Sequence, residues 1–361
     1  MSPARRRLAT LGLVTGAVLA TLAALEIVFR LAGVSVGTVQ INRGTVRRSP
    51  NPRLGYELRP GAHVRAEVEY RISSGGLRSP EALLVKPPGV RRVAVLGDSI
   101  AFGYWVADER TFARQLEAML GPSVQVLNFG VPGYNLEQEI EVLRTKALAY
   151  DPDLVVVAFC LNDLEGIFSY EFGLTLDRSA RSATIGGRLL EGLLRRSLLA
   201  SWVEYRLAEL EARRRFAEAR NPLAGPLYAE AVAEQRKALA AHFRTLRELL
   251  ASRGLPGLVA VFPTLGNRFP NYPYRELHAA VLDSARDEGL LALDLLDCFS
   301  AYDFHDLRVD VVHPSPLGHR VAAHAIRDAL CGRGLLCDGA SAQALSCTGY
   351  RVEDFPRVRG Y

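Results

Sequence analysis

The chain has 361 residues, of which 49% are hydrophobic and 23% charged, and its formal net charge is +5 at pH 7. This composition supports a sizeable folded core and excludes an intrinsically disordered protein. The basic excess comes from scattered arginines, and no Lys/Arg block with interleaved aromatic residues occurs, so we expect no nucleic-acid binding.

Residues 1–34 have the pattern of a membrane anchor or signal segment. Arg5, Arg6 and Arg7 precede an uncharged apolar stretch from Leu8 to Leu25. This length lies between that of a signal-peptide core and the roughly 20 residues that span a membrane. Because no strong small-x-small cleavage site follows, we expect an uncleaved single-pass anchor in the cytoplasmic membrane, with the arginines inside and the rest of the chain outside. The alternative is a protein secreted after signal cleavage.

Residues 35–90 are predicted to form an extracytoplasmic collar. Prolines and glycines punctuate this segment, which argues against long helices. Between Val64 and Ile72 apolar and polar residues alternate, and this alternation predicts one strand or hairpin with a single packed face.

From residue 91 onward, short apolar runs alternate with helical patterns. Runs of this length are typical of strands buried on both faces of a parallel sheet. The stretches between them predict helices at about 108–120, 135–149, 228–253 and 274–289. We therefore predict an α/β fold over residues 91–330, a doubly wound, flavodoxin-like three-layer sandwich with a central parallel sheet of about five strands. The predicted strands are Val93–Leu96, Val124–Phe129, Leu154–Phe159, Leu258–Phe262 and Leu291–Leu296.

Two segments interrupt or follow this alternation. The connection formed by residues 165–256 is far longer than those between the other predicted strands, and it predicts a helical insertion. This insertion serves either for packing or as a lid or substrate-selecting wall. Residues 331–361 form a tail in which we expect one disulfide, either between two tail cysteines or between one of them and Cys298. Cys160 is expected to be buried near the candidate site described below. The tail cysteines are Cys331, Cys337 and Cys347.

Polar residues follow the first three predicted strands at their carboxyl ends, where open α/β sheets build their sites. The first strand leads into Gly97-Asp98-Ser99, in which glycine allows a sharp turn and Ser99 is a candidate nucleophile. The loop after the second strand includes Gly133, whose backbone N–H is a candidate donor to a developing negative charge. Asn162, after the third strand, offers a second donor.

Asp310 and His313 stand three residues apart on the loop before the last predicted helix. The Asp310 carboxylate can therefore bond one imidazole nitrogen, which leaves the other nitrogen for Ser99. Taken singly, Ser99 is as well explained as a helix cap, and Asp310 and Asn162 as turn formers. Taken together at successive strand ends, these residues favour a catalytic site.

In this order the motifs resemble those of the SGNH (GDSL) hydrolase family, in particular its membrane-anchored bacterial branch. The chain departs from the family pattern at Cys160, two residues before Asn162, where members of the family usually have glycine. The resemblance implies a catalytic triad and an oxyanion hole. The triad would be Ser99, His313 and Asp310, and the oxyanion hole would be Ser99, Gly133 and Asn162.

The resemblance further implies a serine esterase that cleaves acyl or acetyl esters of small molecules or glycans through an acyl-enzyme. One alternative is an O-acyltransferase on cell-envelope glycans that uses the same triad. The other is a catalytically idle, anchored binding module. Because no H-E-x-x-H motif and no paired C-x-x-C motif occur, we expect neither a metal nor a cofactor.

Overall fold

The computed structural model describes residues 2–32, 45–65, 68–164, 197–200, 202–203, 206–207, 226–266, 268–310 and 312–337. The chain divides into two compact units. One comprises Met1–Arg43 and Gly173–Arg220, and the other comprises Gly44–Phe172 and Asn221–Tyr361. The domain boundaries expected from the sequence remain a prediction.

The first unit contains helix α1, Pro3–Leu31, which Ser2 caps by accepting the N–H of Arg5. The span Arg5–Leu31 contains an 18-residue window with a mean hydropathy of 2.1, none of which is buried. These values suit a membrane-crossing helix, and a signal sequence at the N-terminus has the same properties.

Glu26 links α1 to a distant part of the chain within this unit. Its carboxylate pairs with Arg30 at 2.7 Å and accepts the backbone N–H groups of Leu198 and Leu199, each at 2.9 Å. The ring of Phe29 also contacts Trp202 edge to face. Residues near 200 therefore pack on the end of α1.

Two antiparallel hairpins form the collar in the second unit, where the sequence predicted one strand or hairpin. Strand β1, Val46–Arg48, pairs with β2, Tyr56–Leu58, and β3, Gly61–Arg65, pairs with β4, Val68–Ile72. The predicted alternation holds in β4, where Tyr70 and Ile72 are buried. In β3, however, Val64 is 75% exposed, so that strand lacks the predicted packed face.

A five-stranded parallel sheet is the centre of the second unit, as predicted. The strands are β5, Arg91–Gly97; β6, Val124–Asn128; β7, Leu154–Phe159; β8, Gly257–Val261; and β9, Leu291–Asp294. Their order in the sheet is β6-β5-β7-β8-β9. The sheet is apolar on both faces because continuous apolar runs point side chains alternately to each side.

Helices cover both faces of the sheet and complete the predicted three layers. The helices are α2, Ser99–Phe102; α3, Phe112–Leu120; α4, Leu136–Thr145; α5, Pro226–Ala251; α6, Arg275–Asp287; α7, Leu296–Ser300; and α8, Pro316–Cys331. On one face, α4, α5 and α6 contribute Leu143, Phe243 and Val281 to one core cluster. On the other face, α3 and α8 contribute Leu116 and Ile326 to a second cluster.

The predicted insertion and tail are described only in part. Helix α5 corresponds to the helix predicted at about 228–253, while most of residues 165–225 lie outside the described residues. In the tail, Cys331 and Cys337 form a disulfide. Cys347 also lies outside the described residues, and Cys160 is a buried thiol.

Candidate active site

Ser99 begins α2 directly after strand β5. Asp98 caps this short helix, since its Oδ1 accepts the N–H of Ile100 at 2.8 Å. Gly97 has a φ of 151°, and a Cβ there would lie 2.5 Å from the Cβ of Ala101. Glycine is therefore required for the sharp turn that brings Ser99 to the carboxyl edge of the sheet.

Asp310 and His313 lie on the loop that precedes α8. The N–H of Val309 donates to the carbonyl of His313 at 2.9 Å, which closes the loop. Asp310 Oδ1 accepts the backbone N–H groups of Val312 and His313 at 2.8 and 2.7 Å. These bonds orient the Asp310 carboxylate toward the imidazole of His313.

The structure brings Ser99, His313 and Asp310 together in one hydrogen-bonded chain. His313 Nδ1 lies 2.7 Å from Asp310 Oδ2, and His313 Nε2 lies 2.9 Å from Ser99 Oγ. Because a carboxylate only accepts, Nδ1 carries the proton and Nε2 accepts from the serine hydroxyl. A second acceptor, Asp98 Oδ2, is farther from Ser99 Oγ at 3.3 Å, so the shorter contact with His313 takes the hydroxyl proton.

The ionisation of Asp310 follows from two opposed effects. Partial burial favours the neutral acid, but hydrogen bonds from the side chain and backbone of His313 and from the backbone of Val312 outweigh it. They hold the pKa of Asp310 well below its usual range. The carboxylate is consequently anionic at neutral pH.

Gly133 lies on the loop after β6, close to the end of β5. The N–H of Phe129 donates to the carbonyl of Val95 at 2.8 Å, and that of Val131 donates to the carbonyl of Gly97 at 3.0 Å. Gly133 itself has a φ of 81°, a left-handed conformation that favours glycine. This loop therefore lies at the same sheet edge as Ser99, and the oxyanion role of Gly133 remains a prediction.

Asn162 follows β7 within the short 3₁₀ turn Leu161–Asp163, and its side chain lies outside the described part of the chain. Cys160 precedes this turn at the position where the family motif usually has glycine. Its thiol donates to Asp98 Oδ2 at 3.3 Å. Cysteine in place of glycine at this position thus adds a hydrogen bond to Asp98, the residue that caps α2.

Asn128 joins the Ser99 helix to the Gly133 loop. Its side-chain amide donates to the carbonyl of Ala101 at 2.7 Å, and its Oδ1 accepts the N–H of Gly130 at 2.9 Å. The two segments approach so closely that a Cβ on Gly130 would lie 2.4 Å from the backbone nitrogen of Phe102. The close contact explains the small residue at position 130.

Two aromatic residues that the sequence analysis missed contact the His313–Asp310 pair. The ring of Tyr104 stacks on His313 with a centroid distance of 5.3 Å and an interplanar angle of 27°. The indole Nε1 of Trp105 donates to Asp310 Oδ2 at 3.2 Å. The available signal was their position five and six residues after Ser99.

A buried acidic cluster of Asp98, Glu139 and Asp163 lies next to Ser99. The ligand atoms of Asp98, Cys160 and Asp163 lie within 4.8 Å of one another, a spacing that a metal ion can bridge. Their atoms already bond one another, however. Cys160 donates through its thiol to Asp98 and through its N–H to Asp163 Oδ2, at 2.7 Å. We therefore assign no metal to this cluster.

Burial sets the protonation of this cluster. It raises the pKa values of Glu139 and Asp163 well above their usual range, and the neighbouring Asp98 charge raises both further. Within the described residues, neither carboxyl oxygen of Glu139 has a hydrogen-bond partner. A sequence signal existed, because Glu139 occupies a position on the apolar face of α4, three residues after Leu136 and four before Leu143.

Glu139→Gln is expected to stabilise the protein increasingly as the pH rises. Burial raises the pKa of a carboxyl in the folded state above its pKa in the unfolded chain. Its pH-dependent contribution to the free energy of unfolding is fully present below the unfolded-state pKa and is lost as the pH rises toward the folded-state pKa. Relative to the variant, the natural protein should lose up to about 1 kcal/mol of unfolding free energy per pH unit above pH ~4.5. Urea unfolding of the detergent-solubilised chain between pH 5 and 8 measures this difference.

The exposed Glu137 on the same helix provides the matched control. Glu137→Gln should leave the pH dependence of unfolding unchanged. If Glu139→Gln has the same stability relative to the natural protein at pH 5 and at pH 8, then the carboxyl of Glu139 is not held neutral by burial.

Residues 95–321, more than half of the chain, match the family described as GDSL-like Lipase/Acylhydrolase family. A search of curated proteins found no match.

Similar solved structures include a putative lipolytic protein of the G-D-S-L family from Desulfitobacterium hafniense DCB-2, with 16% identity, a TM-score of 0.39 and coverage of 66% of this chain and 99% of that one. Est24, a carbohydrate acetylesterase from Sinorhizobium meliloti, has 16% identity, a TM-score of 0.41 and coverage of 67% and 99%. An aryl esterase from M. smegmatis has 15% identity, a TM-score of 0.41 and coverage of 68% and 100%. Likenesses at this level carry no argument about activity.

Proposed function

Since the chain belongs to the GDSL-like lipase/acylhydrolase family and is therefore a hydrolase of ester bonds, we propose that it is a serine esterase with Ser99 as its nucleophile. The single observation that carries this proposal is the hydrogen-bonded chain from Ser99 Oγ through the His313 imidazole to the Asp310 carboxylate, at 2.9 and 2.7 Å. A serine, a base and an orienting acid in this arrangement are what nucleophilic acyl transfer requires.

The proposed reaction begins when Ser99 Oγ attacks the carbonyl carbon of an acyl ester. His313 Nε2 takes the hydroxyl proton, and the Asp310 carboxylate stabilises the imidazolium that forms. The imidazolium then protonates the departing alcohol, which leaves an acyl-enzyme on Ser99. Water, deprotonated by His313, attacks this ester, and the imidazolium returns the proton to Ser99 Oγ as the acid leaves.

The negative charge of the tetrahedral intermediate needs donors in place before the reaction. We propose the backbone N–H groups of Ser99 and Gly133 and the amide of Asn162 for this role. A donor of this kind typically contributes about 3 kcal/mol to the transition state. The left-handed backbone at Gly133 supports the assignment, since such a turn can direct an N–H group inward.

For location, we propose that α1 remains attached as a signal anchor and holds the second unit outside the cytoplasmic membrane, where small-molecule or glycan acyl esters are its substrates. The unburied apolar face of α1 and the Cys331–Cys337 disulfide support this proposal. N-terminal sequencing of the mature protein from the membrane fraction and from the medium tests it. Recovery from the medium of a chain that has lost the apolar stretch 8–25 would show secretion instead.

Covalent labelling tests the proposed nucleophile directly. A fluorophosphonate probe should modify the detergent-solubilised full chain once, at Ser99, as located by peptide mass mapping. His313→Ala should slow this labelling strongly because the hydroxyl loses its base. Ser252 is an exposed serine at the end of α5, so Ser252→Ala should label at the natural rate. Absence of label, or label on another residue, would contradict the proposal.

A further inference from the structure

Trp105 adopts an unusual backbone conformation at the edge of the candidate active site. Its φ is 67°, and among the described residues only Asp151 is another non-glycine residue with a positive φ. A bulky side chain is disfavoured in this left-handed region, and such a conformation persists only where surrounding contacts outweigh its cost. The contacts that Trp105 makes in this conformation therefore indicate its role.

Strand β4 of the collar holds the backbone of this turn. The hydroxyl of Tyr70 accepts the backbone N–H of Trp105 at 3.1 Å. The ring of Tyr70 also packs against the guanidinium of Arg78, 4.6 Å from its centroid. One collar side chain thus contacts both the strained residue and the cation beside it.

Arg78 fixes the carbonyl groups on either side of Trp105. Its side chain is fully buried and donates to the carbonyls of Phe102 and Val106, each at 2.6 Å, and also to that of Gly103. An ion pair with Asp108 at 2.9 Å balances its charge. With three carbonyls held by one planar cation, the turn has little freedom to relax.

The held conformation directs the Trp105 side chain to the His313–Asp310 pair. Its indole Nε1 donates to Asp310 Oδ2, the same oxygen that accepts from His313 Nδ1. Its ring meets Tyr104 edge to face at 4.9 Å, and Tyr104 stacks on the imidazole. The turn therefore contacts both the carboxylate and the ring that it orients.

We propose that Trp105 is a positioning residue for the proposed triad, and that Tyr70 and Arg78 of the collar hold it in the left-handed conformation that this role requires. The inference rests on the proposed function of Ser99, His313 and Asp310. The Asp310 side chain is 40% exposed, so without the indole one side of Oδ2 is open to water. The carboxylate then spends less time aligned with His313 Nδ1.

Trp105→Phe removes the indole N–H and keeps an aromatic ring with the same backbone preference. We expect kcat for p-nitrophenyl acetate to fall about tenfold with KM unchanged, since the lost hydrogen bond acts on the triad and not on the substrate. Trp202 is the only other tryptophan in the chain, and Trp202→Phe is the matched control with natural kcat. A Trp105→Phe kcat within twofold of the natural value would overturn the proposal.

A double-mutant cycle separates positioning from a general structural role. In an Asp310→Asn background the indole no longer has a carboxylate to hold, so the further change Trp105→Phe should lower kcat by less than twofold. A full tenfold additional loss in that background would show that Trp105 acts independently of Asp310 and would overturn the inference.

Two further variants distinguish an effect on the stability of the fold from an effect on kcat. Trp105→Gly relieves the backbone cost but also removes a ring that packs on the core, so its two effects on the melting temperature oppose each other. It should lose kcat at least as strongly as Trp105→Phe, measured below its own melting temperature. Tyr70→Phe, which removes the acceptor of the Trp105 N–H, should lower kcat about threefold. Natural kcat in Trp105→Gly would contradict the positioning role of the indole. Natural kcat in Tyr70→Phe would contradict the role of the collar in holding Trp105.

The outcomes for the triad and for Trp105 are distinguishable. If Ser99→Ala retains natural turnover, the proposed function fails and this inference fails with it. If Ser99→Ala is inactive while Trp105→Phe has natural kcat, the triad stands and only the positioning role is overturned.

Discussion

Replacing Ser99 with alanine is expected to lower kcat for ester hydrolysis by about 10⁴- to 10⁶-fold, because the variant has no oxygen to attack the acyl carbon. The fold should persist. Asp98, not Ser99, caps α2 through the N–H of Ile100, and the substitution leaves no charged group without a partner. The measurement is turnover of p-nitrophenyl acetate, together with the melting temperature of the same preparation.

Ser252→Ala is the matched control for this experiment, since it removes an exposed hydroxyl whose partner among the described residues is the Leu249 carbonyl in the last turn of α5. It should have natural kcat. Ser99→Ala turnover above one hundredth of the natural rate would rule out Ser99 as the nucleophile. A melting temperature lowered by more than about 5 °C would instead attribute the loss to unfolding.

Asp310→Asn is expected to lower kcat by about 10⁴-fold with the local structure retained. The asparagine Oδ1 can still accept the N–H groups of Val312 and His313 that shape the loop. Its amide nitrogen, however, faces His313 Nδ1 and favours the tautomer in which Nε2 carries the proton. That nitrogen then cannot accept the proton of Ser99, so the nucleophile is not activated.

Asp303 on the same loop region provides the control for Asp310. It is exposed and its Oδ1 accepts the N–H of His305, so Asp303→Asn should keep natural kcat. The kcat of both variants is compared at neutral pH with saturating p-nitrophenyl acetate. A loss of less than tenfold in Asp310→Asn would mean that the carboxylate does not set the His313 tautomer.

The local part of the candidate site was predictable because it depends on neighbours in the chain. The spacing of Asp310 and His313 suffices for a hydrogen bond between them once the loop closes, and the two lie 2.7 Å apart. The position of Ser99 followed in the same way from an apolar strand and a glycine turn. The pairing of His313 with Ser99 was inferred only from motif order, since 214 residues separate them.

Other parts of the site had weak or no sequence signals. Glu139 interrupts an apolar helix face, which indicates an unusual residue but not its neighbours. Nothing in the residue types of Gly103-Tyr104-Trp105 predicts a left-handed tryptophan, because that conformation is intrinsically unfavourable. It exists through contacts with Tyr70 and Arg78, which come from the collar.

By itself, the sequence determined the five parallel strands and the three layers, because continuous apolar runs between amphipathic helices can be buried in few other ways. It also determined the apolar N-terminal helix. Only the tertiary structure decided which segments meet. Packing of α8 against the sheet brings His313 to Ser99. Hydrogen bonds from Tyr70 and Arg78 join the collar to the Trp105 turn, and the Glu26 carboxylate joins α1 to Leu198 and Leu199. These contacts depend on long-range packing and on backbone conformations that no local pattern encodes.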